Sequence, residues 1–295
     1  MKQFTYSYQN LGEKYAKKRK GTPEFAKFMI EQSKILKSQH NNIIFELGAG
    51  SGQQTFYVRN ELIKNKIAFE LFAYDKSYNL ITKTDQLNIL SNKIKEKQIN
   101  NIFPIKYNFD GKPLLSPKPL QREIGTVYTD IKSFELIPNN SVSLVFMAFV
   151  HHHLKKKQAV LNEIFRVLKK NGTFFIFGAS YEDVFKHPLY KYFPKLKEVD
   201  RKRYITRKEV ENLFKKAGFL YKKEQSILRE KNKVIDSLYL ESVKSTIINS
   251  GLKVIEKKYP KDFRKGIIKL EREINELAPN YKSFNMFRTV FWGTK

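Results

Sequence analysis

Three glycines and an acid carry the first chemical signal. Residues 43–52 read Ile-Ile-Phe-Glu-Leu-Gly-Ala-Gly-Ser-Gly, an apolar run delivered into Gly48, Gly50 and Gly52. A buried strand that ends in a glycine-rich turn before a helix is how an α/β domain holds a nucleotide-like ligand. Glycine takes backbone angles closed to other residues and lets a ligand approach the main chain. Spacing then narrows the ligand. The dinucleotide fingerprint needs a glycine at position 53, where this chain has Gln53. In its place stands Glu46-x-Gly48-x-Gly50-x-Gly52, with the acid two residues ahead of the first glycine. That carboxylate could cap the local backbone, or orient a cationic group through charge-assisted hydrogen bonds.

Further signals follow in order. A second apolar segment, 69–74, ends at Asp75, where a carboxylate offers two acceptor oxygens to a ribose. Next come Tyr128-Thr129-Asp130-Ile131 and then Phe134-Glu135-Leu136-Ile137-Pro138, leading into an apolar run to Phe146. His152-His153-Leu154 and Ile164-Phe165-Arg166-Val167-Leu168-Lys169-Lys170-Asn171-Gly172, with the strand Thr173 to Phe177, complete the series.

In this order the motifs resemble those of the class I S-adenosylmethionine-dependent methyltransferases, with the small-molecule members the nearest in pattern. The resemblance covers roughly residues 43–180. It implies S-adenosylmethionine as cofactor, held by the loop Gly48, Ala49, Gly50 and Gly52. Glu46 would face the methionine ammonium, and Asp75, followed by Lys76, would bind the ribose. Asp130 and Ile131 would lie at the adenine, with Asp110 as the competing acid, and main-chain groups of Met147 and Ala148 would face the methionine part. Tyr15 and Arg19 resemble a tyrosine-x-x-x-arginine element that folds over the cofactor. An exposed basic helix accounts for those two residues equally well.

The elements that must position these residues can be read coarsely. Residues 1–40 are expected to form a helical cap, with a helix after Pro23. Residues 41–230 are expected to form the core, in which 43–180 alternate strands and helices and predict an α/β, doubly wound, mostly parallel seven-stranded sheet of Rossmann-like form. Within the core 181–203, rich in Tyr, Phe and Pro, is expected to be a lid segment. The stretch 111–125, with Pro113, Pro117 and Pro119, is expected to be an irregular insertion. Thr206 is the expected N-cap of a helix that stops at Gly218. Residues 231–283 read as a helical insertion of two or three amphipathic helices split by Pro260, and 284–295 as a last strand returning to the sheet. The resemblance implies that cap and insertion cover the mouth of the site and select the acceptor.

Composition excludes several alternatives. The 295 residues include no cysteine, so there is no disulfide, thiolate zinc site or cysteine nucleophile. No apolar run approaches the roughly 18 residues that span a bilayer, and the opening Met-Lys-Gln-Phe-Thr-Tyr lacks the apolar stretch of a signal peptide. A cytoplasmic location is the resulting expectation. The net charge of +27 suggests nucleic acid, yet the basic residues are 45 lysines and only 11 arginines. Readers of bases favour the planar arginine fork, so a solvated lysine surface is the preferred account.

The chemistry expected is methyl transfer to an O, N or C atom of a small-molecule acceptor. After the fourth strand the chain reads Met147-Ala148-Phe149-Val150. That offers neither the Pro-Pro motif of enzymes acting on base amines nor acids for magnesium, so a metal-independent in-line displacement is expected. His151 and His152 are candidate bases for a hydroxyl acceptor, against a plain helix-start role. Consecutive histidines point in different directions, which argues against a metal site. Two further readings remain open: an RNA methyltransferase using the basic surface, and a non-catalytic cofactor-binding or nucleic-acid-binding module.

Overall fold

A computed structural model describes residues 21–37, 42–50, 52–75, 106–107, 113–114, 125–128, 137–246 and 248–295. Tyr15, Arg19, Lys76, Asp110, Asp130 and Ile131 lie outside them, as does most of the proline-rich stretch 111–125. Contacts within the chain resolve into two units. A sheet unit holds the described residues up to Gly178 together with 211–224 and 290–295, and a helical unit holds 179–210 and 225–289.

The sheet unit starts with α1 (Pro23–Gln32), which has proline in its first turn, where a missing N–H costs nothing. Strand β1 (Asn42–Leu47) leads through the glycine loop into α2 (Gln53–Lys64) and then β2 (Phe69–Asp75). Strands β3 (Gly125–Tyr128) and β4 (Val142–Ala148) follow, then α3 (Lys157–Val167) and β5 (Leu168–Gly178). A separate two-residue ladder pairs Lys106–Tyr107 with Pro113–Leu114 in antiparallel fashion.

Strands β1 and β4 are nearly all buried, as expected where helices cover both faces of a parallel sheet. Pairing is parallel between β1 and β2, β1 and β4, β2 and β3, and β4 and β5. Aromatic packing fastens α1 to this sheet. Phe25 stacks on Phe177 at 4.5 Å, and Phe28 meets Phe175 edge-on at 6.4 Å. The expected doubly wound, mostly parallel sheet is thus present.

The helical unit begins with three short helices, α4 (Tyr181–Val184), α5 (Leu189–Tyr192) and α6 (Leu196–Arg201). Helix α7 (Arg207–Lys216) then crosses from one unit to the other. Its start is a reciprocal capping box: the Glu209 N–H donates to Thr206 Oγ1 at 3.1 Å and the Thr206 N–H donates to Glu209 Oε2. Gly218 ends it with φ +98°, so Thr206 and Gly218 serve as the sequence suggests.

Strand β6 (Leu220–Tyr221) belongs to the sheet unit and β7 (Gln225–Val234) to the helical one. Then come α8 (Ser237–Lys244), α9 (Ser250–Lys258), α10 (Pro260–Leu277) and β8 (Ser283–Thr294). There are three helices between the last strands, with Pro260 in the first turn of α10. Residues 231–234, expected to be helical, instead complete β7. The long sheet runs β3-β2-β1-β4-β5-β8-β6, with β7 pairing β8 in addition, and β8 and β6 are antiparallel.

A carboxylate fastens the core of the helical unit. Asp200 is fully buried and accepts from Tyr190 Oη at 2.6 Å, Arg203 Nη1 at 3.0 Å and Asn249 Nδ2 at 3.0 Å. Asn249 is also the N-cap of α9, accepting from the Gly251 N–H, so one acid joins α5, α6 and α9. Burial pushes the Asp200 carboxyl upward against the pull of Arg203 and these donors. Around it Leu196, Val243, Leu252 and Leu270 form an apolar core. Among the described residues no helix is long and apolar enough to cross a membrane.

Candidate active site

In the sheet order, β1 has β2 on one side and β4 on the other, so the winding direction reverses between β1 and β4. Ligands of open α/β sheets bind at the carboxyl ends of the strands at that reversal. The glycine loop occupies this place. Gly48, Gly50 and Gly52 all have positive φ, +77°, +59° and +80°. The last of these is the left-handed N-cap of α2.

Hydrogen bonds hold the loop tightly. The N–H groups of Gly48 and Ala49 both donate to the Tyr74 carbonyl, at 2.7 and 2.9 Å, and the Gly52 N–H donates to the Ala49 carbonyl at 2.9 Å. The loop after β1 is therefore tied to the end of β2, one residue before Asp75. That residue closes β2 in register with Tyr128, the end of β3. The two glycines at the centre face different surroundings. A Cβ on Gly48 would meet Val150 Cγ2 at 2.2 Å, whereas one on Gly50 would meet none of the described residues within 4 Å. Glycine main chain without a Cβ in the way is what lets a ligand approach a cradle of this kind.

Glu46 lies in β1, beside Ala73 of β2 and Phe146 of β4, with only 1% of its surface exposed. Thr55, in the first turn of α2, donates its hydroxyl to the Glu46 carboxylate, and Thr55 is itself fully buried. A buried acid beside three left-handed glycines is matched to a ligand that brings a cation and hydrogen-bond donors. Met147, also buried, is the second-last residue of β4, on the far side of β1 from Asp75. The three histidines form a single 3₁₀ turn after β4. His151 is 2% exposed and packs its ring on the backbone of Gly178, where an added Cβ would lie 2.9 Å from Cε1. His152 is half-buried and His153 exposed, their rings 3.9 Å apart.

Residues 45–176 match the sequence model of a family described as a methyltransferase domain. They form a class I, S-adenosylmethionine-dependent methyltransferase domain. No curated protein matches the chain. Solved structures do. The YcgJ protein of Bacillus subtilis is 17% identical, with a TM-score of 0.53 over 92% of this chain and 98% of its own. A protein of Bacillus halodurans assigned as a methyltransferase is 15% identical, with a TM-score of 0.54 over 92% and 99%. A third, assigned as a methyltransferase of an antibiotic biosynthesis pathway in Anabaena variabilis, is 15% identical, with a TM-score of 0.57 over 94% and 99%. At such identities the likeness is one of fold.

The methyltransferase domain thus brings together Glu46, the three glycines and the end of β2, with Met147 on the neighbouring strand. Sequence reasoning missed three partners that fix this arrangement: Thr55 on Glu46, Val150 against Gly48, and the Tyr74 carbonyl under the loop. Thr55 is nine residues from its acid, and no local pattern marks such a pair.

Proposed function

We propose that the methyltransferase domain transfers the methyl group to an O, N or C atom of a small-molecule acceptor by a metal-independent in-line displacement. The observation that carries this reading is the loop from Glu46 to Gly52, with its three positive φ angles, at the winding reversal and bonded to the end of β2. S-adenosylmethionine, when bound, supplies a methyl on a sulfonium, a leaving group that is already activated.

The chain's own residues then have the task of alignment. Glu46 would orient the ammonium of the cofactor, and the main chain at Gly48, Ala49, Gly50 and Gly52 would admit its body. Asp75 with Lys76 would hold the ribose, and Asp130 with Ile131 the adenine. Met147 would face the methionine part, Tyr15 the sulfonium and Arg19 the carboxylate. Alignment of this kind accounts for about 7–11 kcal/mol of barrier in well-oriented reactions. A base is required only when the acceptor carries a proton that must leave. Of the two candidates, the burial of His151 against Gly178 supports a packing role, and the half-buried His152 is the better placed to take a proton.

Calorimetric titration with S-adenosylmethionine and S-adenosylhomocysteine tests the site, with Asp75→Ala as the control. Micromolar binding that Asp75→Ala loses is expected. Transfer of labelled methyl from the cofactor to a panel of small acceptors, with RNA as competitor, then tests the acceptor class. Labelling of RNA in preference to every small molecule would overturn that part of the reading.

A further inference from the structure

One side chain ties the start of α2 to a segment 32 residues earlier in the chain. Gln54, 5% exposed, accepts from the Thr22 main-chain N–H through Oε1 at 2.9 Å and donates from Nε2 to the Thr22 carbonyl at 3.2 Å. This two-point contact reproduces with a side chain what neighbouring strands make with main chain. Beside it, Gly21 approaches so closely that a Cβ would sit 2.5 Å from both the Gln53 carbonyl oxygen and Tyr57 Cδ2. Thr22 in turn precedes α1 as its N-cap, and Phe25 and Met29 of that helix are fully buried. Gln54, two residues beyond the left-handed Gly52, is thereby anchored to a helix already seated on the sheet.

Three left-handed glycines in five residues are costly to order, because glycine loses more backbone freedom than any other residue. If a ligand had to order them, that cost would be subtracted from its affinity. An anchor just beyond the loop removes much of this freedom before the ligand arrives. We propose that Gln54 is a positioning residue for the cofactor loop. It pre-orders Gly48 to Gly52 through Thr22 and raises cofactor affinity without touching the cofactor. The proposal rests on the cofactor reading of that loop.

Gln54→Met keeps the size of the side chain and removes both hydrogen bonds, leaving the Thr22 N–H without this acceptor. Leu62→Val, a change in fully buried packing at the other end of α2, serves as the reference for general loss of stability. In Gln54→Met, S-adenosylhomocysteine should bind about tenfold more weakly, with the deficit in the entropy of binding. Leu62→Val should lower the melting temperature and keep the wild-type Kd. In the free protein, hydrogen exchange at the amides of Gly48, Ala49 and Gly52 should quicken in Gln54→Met while that of β4 is unchanged. Wild-type affinity and exchange in Gln54→Met would overturn the proposal, as would equal weakening in Leu62→Val. Wild-type protein that binds neither S-adenosylmethionine nor S-adenosylhomocysteine would overturn the cofactor reading, and the proposal with it.

Discussion

Thr55 Oγ1 donates a hydrogen bond to the Glu46 carboxylate across nine residues of chain, and both groups are buried. The bond joins the end of strand β1 to the first turn of α2, so it closes the frame within which the glycine loop is held. Thr55→Val preserves shape and removes the donor. Leaving a buried acceptor short of a partner costs about 1–3 kcal/mol, and more where that acceptor is charged. Urea unfolding of the variant should show a loss of at least this size. An unchanged midpoint would mean that the Thr55 hydroxyl contributes nothing to holding Glu46.

The loop glycines separate two kinds of damage. Gly48→Ala adds a Cβ 2.2 Å from Val150 Cγ2 at a φ of +77°, so crowding and backbone strain combine. Strain alone costs about 1–2 kcal/mol and overpacking about 1–3 kcal/mol more. Val150→Ala in the same chain should recover part of that loss, as a double-mutant cycle of unfolding free energies would show. Gly50→Ala meets none of the described residues within 4 Å and should lose only the strain, yet bind S-adenosylhomocysteine at least tenfold more weakly as the new methyl fills the approach. Equal binding in Gly50→Ala and wild type would remove Gly50 from the cradle.

Acid should weaken the helical unit through His187. Its ring lies 6.3 Å from Tyr239 at an interplanar angle of 17°, with Phe284 edge-on at 5.1 Å. Burial, then the cations Arg288 and Lys233, push it down to about 3 from an ordinary 6.5. The folded protein therefore leaves His187 neutral where the unfolded chain protonates it. Stability is retained above pH 6.5 and lost as pH falls from there towards 3, by at most about 1.4 kcal/mol per unit. Carboxylates act lower. Lys191 and then Lys282 and Tyr192 hold Glu273 down to about 2, so its share is lost only below about 4.5. The comparison is the urea midpoint from pH 7 to 5 in wild type and His187→Asn. Asparagine can still accept from the Leu189 N–H, as His187 Nδ1 does at 3.3 Å. The variant should show the shallower slope, and identical slopes would exclude His187 as the source.

The N-cap at Thr206 and the stop at Gly218 were readable because both devices act within one helical turn. Gly48, Gly50 and Gly52 were readable for a similar reason: only a residue without a Cβ accepts those angles cheaply, so the requirement is written in the residue type. Strand β7 was partly hidden. Its residues 231–234 are mainly polar and half or fully exposed, and their pairing with β8 is made some fifty residues further along the chain.

Sequence alone determined that an acid and three glycines end one strand, that a second acid ends the next, and that the chain is a doubly wound α/β fold. Those features depend on the conformational needs of single residues and on short apolar periods, which are local. Tertiary structure decided which groups hold them. The Tyr74 carbonyl lies under the loop, Gln54 is paired with Thr22 across 32 residues, and Asp200 gathers Asn249 from 49 residues away. Such contacts join residue types that are common everywhere in the chain, so only the folded path selects one glutamine or one aspartate from the rest.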